Sequence, residues 1–207
     1  LRFILDCVLH WQAKLIYASS AGVYGNSPSP MKEGEGEVPE NPYGFSKLMM
    51  DRIAKNFMAE NPHIQVVGLR YFNVYGPGES FKGKSASMIY QLYRQMKEGK
   101  RPRLFKWGEQ KRDFVYIKDV VKANILALEK NVSGIFNIAT GQARSFNEIV
   151  SILNQALGTC LEPDYFDCPY DFYQNYTQAD ISKAKELLGY EPEFSLEDGI
   201  KDYLKYL

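Results

Sequence analysis

The segment Tyr43-Gly44-Phe45-Ser46-Lys47 places a phenol and an amine four residues apart. On a helix these two side chains share one face. A phenol titrates near pH 10 in water, about three units too high for a base at neutral pH. An ammonium beside it favours the phenolate and lowers that value. The pair can therefore act as a general acid/base, with Tyr43 moving the proton and Lys47 tuning it. A Y-x-x-x-K match alone is common, and an exposed helical pair is its plainer meaning. Ser19-Ser20 adds context, because these serines end the apolar run Leu15 to Ala18, which reads as a buried strand. Ligands of open α/β sheets bind at such strand ends. A Ser20 hydroxyl there can bond the substrate oxygen whose proton Tyr43 moves. Its plainer role is a turn residue that satisfies backbone groups.

The elements that must hold these residues follow from periodicity. Residues 1–12 are predicted helical, with Phe3, Ile4, Cys7 and Val8 on the apolar face. Residues 15–18 form a strand, followed by a Gly, Pro and Glu-rich loop to about 42. A helix over 43–60 is stopped by Asn61-Pro62. A second strand over 65–72 is closed by Asn73 and by Gly76-Pro77-Gly78. Further helices are expected over 84–98, 119–130, 180–188 and 195–206, and strands over 102–107, 113–117 and 134–139. Ser145 is the predicted N-cap of a helix to about 157, with Glu148 completing a capping box. Strands alternating with helices argue for an α/β fold with a parallel sheet. The charged cluster Lys32 to Glu40 reads as a solvated loop. There is no internal repeat.

Composition narrows the function. The chain of 207 residues carries 25 basic and 25 acidic side chains, so it has no net field to hold nucleic acid or an anionic membrane. An apolar fraction of 45% with 24% charged residues excludes disorder for most of the chain. Three cysteines, Cys7, Cys160 and Cys168, are not a disulfide framework, and His10 and His63 do not complete a metal site. Reduced, buried or inert thiols of a cytoplasmic protein fit best. No run reaches the length of a membrane helix. The apolar opening is interrupted by Arg2 and Asp6, and is expected to be an amphipathic helix rather than a signal peptide.

Four segments carry a resemblance. Ser-Ser-Ala-Gly-Val-Tyr-Gly (19–25), Pro-Tyr-Gly-Phe-Ser-Lys (42–47), Arg-Tyr-Phe-Asn-Val-Tyr-Gly-Pro (70–77) and Arg-Asp-Phe-Val-Tyr-Ile-Lys-Asp-Val (112–120) stand in a fixed order. It is the order of extended short-chain dehydrogenases that modify nucleotide sugars, and the resemblance covers essentially the whole chain. Within that superfamily the chain most resembles the ADP-L-glycero-D-manno-heptose 6-epimerase family. The segments 81–87, 104–108 and 173–180 carry this closer similarity.

The resemblance implies the C-terminal part of a Rossmann-type fold with a parallel sheet, plus a small α/β substrate-binding domain. Residues 1–76 and 112–141 would form the first, and 77–111 and 142–207 the second. It implies Ser20, Tyr43 and Lys47 as a catalytic triad and Lys82 as a second acid/base. The cofactor-side set is Tyr43, Lys47, Val74 and Lys82. The substrate-side set is Ser20, Asn73, Lys84, Gln91, Phe105, Arg112 and Tyr173, with Asn73 and Arg112 toward the diphosphate. The implied cofactor is NADP, with NAD as the alternative. The implied partners are an ADP-heptose and further copies of the chain, in a cytoplasmic step of lipopolysaccharide core synthesis. Each residue also has a plainer role. Lys82 could be an exposed loop lysine, Asn73 a turn cap, and Arg112 half of a surface pair with Asp113. Phe105, Trp107, Tyr173 and Tyr176 could simply pack.

The sequence also departs from the family. It has no G-x-G-x-x-G or G-x-x-G-x-x-G turn, and Gly34-Glu35-Gly36 is acidic and lies in a loop. By resemblance, the first βαβαβ half that binds adenosine, ribose and pyrophosphate is not part of this sequence. Gly22 stands where related 4-epimerases often carry Thr, and Lys84 where the family more usually has Ser. Two other readings therefore stand beside the 6-epimerase. One is another nucleotide-sugar epimerase, such as a UDP-hexose 4-epimerase. The other is a sugar-nucleotide-binding fragment without turnover. A 4,6-dehydratase fits less well, because that class resembles Thr-Asp-Glu where Ser20-Ala21-Gly22 stands here.

Overall fold

A computed structural model describes residues 1–169 and 174–207. The chain runs α1 (Arg2–His10), β1 (Leu15–Ser20), α2 (Pro42–Glu60), β2 (Val66–Tyr71), β3 (Asn73–Tyr75), α3 (Met88–Lys97), β4 (Arg103–Phe105) and β5 (Lys111–Tyr116). It continues with α4 (Ile117–Glu129), β6 (Gly134–Ile138), β7 (Ala143–Ser145), α5 (Phe146–Leu157), β8 (Asp164–Phe166) and α6 (Leu196–Tyr203). Short 3₁₀ segments lie at Ala21–Tyr24, Ser80–Ser85 and Leu204–Tyr206, and a π-helical turn at Ala184–Leu188.

The main sheet has the order β1-β2-β6, and both of its pairs are parallel. Strand β2 is central and buried from Val66 to Arg70, as a doubly covered strand must be. Its register sets Ser20 opposite Tyr71, so the sheet's C-terminal edge brings together the ends of β1 and β2. A second sheet, β3-β5-β7, pairs β3 parallel and β7 antiparallel to β5, and β4 pairs with β8. Strands β3, β7 and β8 have three residues each, too few to leave a period in the sequence.

Local signals explain most helix ends. Asn41 caps α2, with Pro42 in its first turn. The predicted capping box of Ser145 and Glu148 opens α5, and Gly158 closes it in the left-handed conformation. The expected face of α1 is corrected. Phe3 and Ile4 are exposed, whereas Leu5 and Val8 pack with Tyr17, Ala54, Ile64 and Val66. Positions 1, 5, 8 and 9 satisfy helical spacing as well as 3, 4, 7 and 8, and tertiary packing selects between them. The helix expected over 180–188 is shortened to a single π-helical turn with its lead-in. None of the three cysteines is buried, contrary to one of the states expected for them. No helix among the described residues is long and apolar enough to cross a membrane.

The loop 32–40 is also not merely solvated. Arg70, fully buried on β2, meets Glu37 Oε1 at 2.7 Å and Asp51 Oδ2 at 2.8 Å, and donates to the Tyr24 hydroxyl at 2.9 Å. Tyr17 and Ser19 donate to Asp51 at 2.9 and 3.0 Å. Tyr24 donates to Asn137 Oδ1 at 2.8 Å, and Asn137 N donates to Glu33 at 2.6 Å. Burial opposes ionisation of Glu37, but the Arg70 guanidinium overrides it and holds this carboxyl below its ordinary range.

Asp113 makes a second internal tie. Its carboxylate accepts from Thr140 N and Oγ1, Gly141 N and Ala179 N at 2.7–3.1 Å. Burial pushes this carboxyl up to about 6, against the pull of those donors. Neither residue of the pair Arg112-Asp113 lies at the surface, contrary to the plainer expectation.

Two outcomes follow. Arg70→Met leaves the buried Asp51 without its cation and Glu37 with only the more distant, half-exposed Lys55 at 3.7 Å, and unfolding free energy in urea should drop by about 3–5 kcal/mol. For Asp113, the folded protein holds a proton that the unfolded chain releases near pH 4. Stability from this group is therefore full below about pH 4 and is lost as pH rises to about 6, by about 3 kcal/mol in all. The stability difference between the native protein and Asp113→Asn should shrink across that window. A flat difference would mean that the surrounding donors keep the carboxylate ionised throughout.

Candidate active site

Asn41, Pro42 and Gly44 determine where Tyr43 stands. The Asn41 side-chain oxygen accepts from Gly44 N at 2.8 Å, which sets the first turn of α2. Tyr43 projects from that turn and is 58% exposed. Ser20 ends β1, and its Oγ accepts from Gly22 N at 3.1 Å, so it also fills the turn role anticipated for it. The two side chains meet around Gly22. A Cβ placed there would lie 3.4 Å from Ser20 Oγ and 3.7 Å from Cδ1 of Tyr43. A Cβ on Gly44 would come within 2.3 Å of the Gly22 carbonyl oxygen. The turn after β1 and the first turn of α2 thus touch backbone to backbone, which requires glycine at 44. Lys47 Nζ donates to the Ala18 carbonyl at 2.9 Å and stands 5.8 Å from the centroid of the Tyr43 ring. Strand β1 therefore anchors the amine beside the phenol.

A cleft of about 670 Å³ opens past the end of β2, between β3, the Ser80–Ser85 segment, α3, β4 and β5. Its walls include Asn73, Val74, Lys82, Lys84, Gln91, Phe105 and Arg112. Asn73 opens β3 and donates from Nδ2 to the Asp113 carbonyl at 3.2 Å, so it is more than a turn cap. Arg112 is buried, donates to the Lys111 carbonyl at 2.9 Å, and lies 5.8 Å from the Phe146 ring centroid. Gln91 donates to the Ala86 carbonyl at 2.8 Å, bracing the wall. Phe105 meets Phe166 edge-on at 5.0 Å. Lys82 and Lys84 are exposed on the rim. Ser20, Tyr43 and Lys47 do not line this cleft, although Ser20 pairs in register with Tyr71, two residues before Asn73. Tyr173 lies outside the described residues. Trp107 is exposed rather than packed in a strand, and meets Tyr165 edge-on at 5.8 Å.

Residues 2–139 match the profile of the NAD dependent epimerase/dehydratase family. The chain belongs to that family. It is 43% identical to the ADP-L-glycero-D-manno-heptose-6-epimerase of Brachyspira hyodysenteriae, over 99% of this chain and 66% of the relative. The crystal structure of the Helicobacter pylori enzyme of the same name matches with TM-score 0.89 at 47% identity, over 98% of this chain and 62% of that one. A Bacillus cereus UDP-glucuronic acid 4-epimerase, in complex with UDP-glucuronic acid and NAD, matches with TM-score 0.84 at 34% identity, over 98% and 64%. The chain spans just under two thirds of the length of these relatives. The parallel β1-β2-β6 sheet with its helices is thus part of the Rossmann-type fold of the epimerase/dehydratase family.

The geometry adds residues that spacing did not reveal. Arg103 lies in the cleft wall, 4.3 Å from the Phe166 ring centroid and 3.4 Å from Asp164. Glu79 lies in the same wall and is buried. An acid directly after Gly-Pro-Gly, eight residues before the helix-capping Ser87, was the available signal for Glu79. Four cations, Lys82, Lys84, Arg103 and Arg112, thus share walls with Phe105, Phe114, Phe146 and Phe166. Such a cleft suits an anion attached to a flat or apolar group.

Gly44→Ala should push the first turn of α2 off the Gly22 backbone and carry Tyr43 with it. Activity is expected to fall about 100-fold or more. The melting temperature should drop by only several degrees, because the helix itself gains from alanine. Unchanged activity would mean that Tyr43 does not need its place beside Ser20.

Proposed function

We propose that this chain carries the catalytic and substrate-binding face of an enzyme that inverts C6 of ADP-D-glycero-D-manno-heptose to give ADP-L-glycero-D-manno-heptose. The carrying observation is the cationic, aromatic cleft at the same sheet edge as Ser20, Tyr43 and Lys47. An ADP-sugar offers that cleft a diphosphate and a flat base. The relatives named for this reaction, at 43% and 47% identity, support the choice of substrate.

Inverting a carbinol carbon requires a planar carbonyl between two tetrahedral states, and a nicotinamide cofactor supplies hydride acceptance and return when bound. We infer NADP for this chain, with NAD the form found in the Bacillus cereus relative. The exposed phenol of Tyr43 and the anchored amine of Lys47 fit its nicotinamide end, together with Val74 and Lys82. In this reading Tyr43 Oη takes the proton from the C6 hydroxyl, and Ser20 Oγ donates to the same oxygen. Lys47 holds positive charge beside the phenol. Once the planar carbonyl turns, its oxygen no longer faces Tyr43. Lys82 then gives or takes the proton in the second orientation. Asn73, Lys84, Gln91, Phe105 and Arg112 hold the nucleotide portion, as Tyr173 does by resemblance. A homo-oligomer that supplies a lipopolysaccharide core precursor in the cytoplasm belongs to the same proposal.

The likeness to a UDP-glucuronic acid 4-epimerase favours a second reading, inversion at C4 of a UDP-hexose. A substrate panel separates the two. The NADP-loaded protein is offered ADP-D-glycero-D-manno-heptose and, separately, UDP-glucose and UDP-glucuronic acid, and products are read by proton NMR. Inversion at C6 of the ADP-heptose alone is expected, with Tyr43→Phe lowering kcat by about 100-fold or more. Inversion of a UDP-hexose at C4 instead would move the chain to the 4-epimerases. Tight binding of ADP-heptose without turnover would make it a binding fragment.

A further inference from the structure

Glu79 is the buried carboxylate of the cleft wall, and the proton chemistry above makes no use of it. Its Oε2 accepts from Ser87 N at 2.6 Å. Its Oε1 accepts from Ser87 Oγ at 2.8 Å and from Gly76 N at 3.4 Å. Ser87 in turn caps α3, its Oγ accepting from Tyr90 N at 3.2 Å. One carboxylate therefore ties the residue after β3 to the first turn of α3.

Between those two ends runs the 3₁₀ segment Ser80–Ser85, which carries Lys82 and Lys84 and has no buried residue. Phe81 within it is 83% exposed. The segment's backbone bonds are local, from Lys82 N to the Glu79 carbonyl at 3.0 Å and from Ala86 N to the Gly83 carbonyl at 3.2 Å. A segment without buried apolar contacts lacks packing to fix its place. Its geometry is set mainly by where its ends are held, and the Glu79 carboxylate meets both, while Gln91 Nε2 adds a tie to the Lys84 carbonyl at 3.3 Å. The match of charge and number is specific. An ionised carboxylate only accepts, and here it meets the Ser87 N–H and O–H and the Gly76 N–H, with the buried Tyr203 hydroxyl of α6 also facing it. An amide would turn an NH₂ group toward at least one of them.

We propose that Glu79 is the positioning residue for Lys82: by stapling Gly76 to Ser87 it sets the path of the intervening turn and so the reach of the Lys82 ammonium into the cleft. This rests on the reading of Lys82 as the second acid/base. Proton transfer tolerates little displacement, and about 1 Å of misplacement can cost roughly 100-fold in rate.

The test uses Glu79→Gln, Lys82→Ala and the double variant, each first shown by melting temperature and circular dichroism to be folded. Amide hydrogen exchange reads the staple without any cofactor. Exchange at the Lys82 and Ala86 amides should be at least about ten-fold faster in Glu79→Gln, while the amides of β2 stay as in the native protein. In the NADP-loaded protein, Glu79→Gln should lower kcat by about 10- to 100-fold and change KM by less than about three-fold. In the Lys82→Ala background the same change should add almost nothing, because its effect runs through that lysine. Losses that multiply across the double variant would make Glu79 a general structural residue and overturn the proposal. Unchanged exchange at Lys82 and Ala86 would do the same. An unaltered kcat in Lys82→Ala would instead remove the acid/base reading beneath it. Should Glu79→Gln not fold, Ser87→Ala removes one hydroxyl from the same carboxylate and should shift exchange and kcat in the same direction, by less.

Discussion

A guanidinium with no exposure on the middle strand of a sheet cannot be left unpaired. Arg70 is such a group, and the way its charge is met organises the side of the molecule that carries Ser20, Tyr43 and Lys47. Its partners come from three separate places: Tyr24 from the 3₁₀ turn directly after β1, Glu37 from the long loop that follows it, and Asp51 from α2. Satisfying one residue of β2 therefore fixes α2, that loop and that turn against the sheet. Ser20 precedes the turn, and Tyr43 and Lys47 lie on α2, so the proposed triad inherits its geometry from a charge that the proposed chemistry does not use. Asp51 extends the arrangement by also receiving Tyr17 and Ser19 from β1. Ser19 is thus used inward and Ser20 outward, as alternation along a strand requires.

The same alternation works on β5. Arg112 lines the cleft while Asp113, the next residue, gathers the backbone of Thr140, Gly141 and Ala179 on the other side. One dipeptide thus supplies a cation to the cleft wall and an anchor for the loops behind it. Among the described residues of the cleft wall the buried carboxylate is Glu79, and the cleft keeps its positive character because Glu79 is occupied by Ser87 and Gly76. An acid engaged in this way shapes the wall more than it opposes the proposed diphosphate.

Most of the frame was legible in the sequence, since β1, β2, β6, α2, α4 and α5 follow from apolar runs, periodicity and caps. The Tyr43–Lys47 pair was legible for the same reason, as both residues lie on one well-marked helix. What spacing could not show were relations across the fold. The inward roles of Glu33 and Glu37 were hidden because a run of charges resembles a solvated loop until a buried cation is found opposite it. The Gly22–Gly44 contact was hidden because neither glycine needs an unusual φ, and only the approach of two backbones reveals it. The wrong face of α1 arose because two residue sets fit one helical period, and only the neighbours decide. The cleft itself joins residues from 73 to 166; resemblance pointed to Asn73, Val74, Lys82, Lys84, Gln91, Phe105 and Arg112, and missed Glu79 and Arg103.

The two proposed proton carriers sit on supports of opposite character. Tyr43 is held by a capped helix, a backbone contact with the strand turn, and a lysine bonded to the strand. Lys82 stands on a turn with no buried residue, held at its ends by one carboxylate. The proposed inversion accounts for the asymmetry. The first proton transfer occurs in a single geometry, where preorganisation lowers the barrier at no later cost. The second follows a rotation of the intermediate, which needs room beside the reacting carbon. A rigid group on that side would block the rotation, and an unanchored one would find the turned oxygen too seldom. A lysine on a long flexible stem, carried by an exposed turn whose ends are fixed, meets both demands.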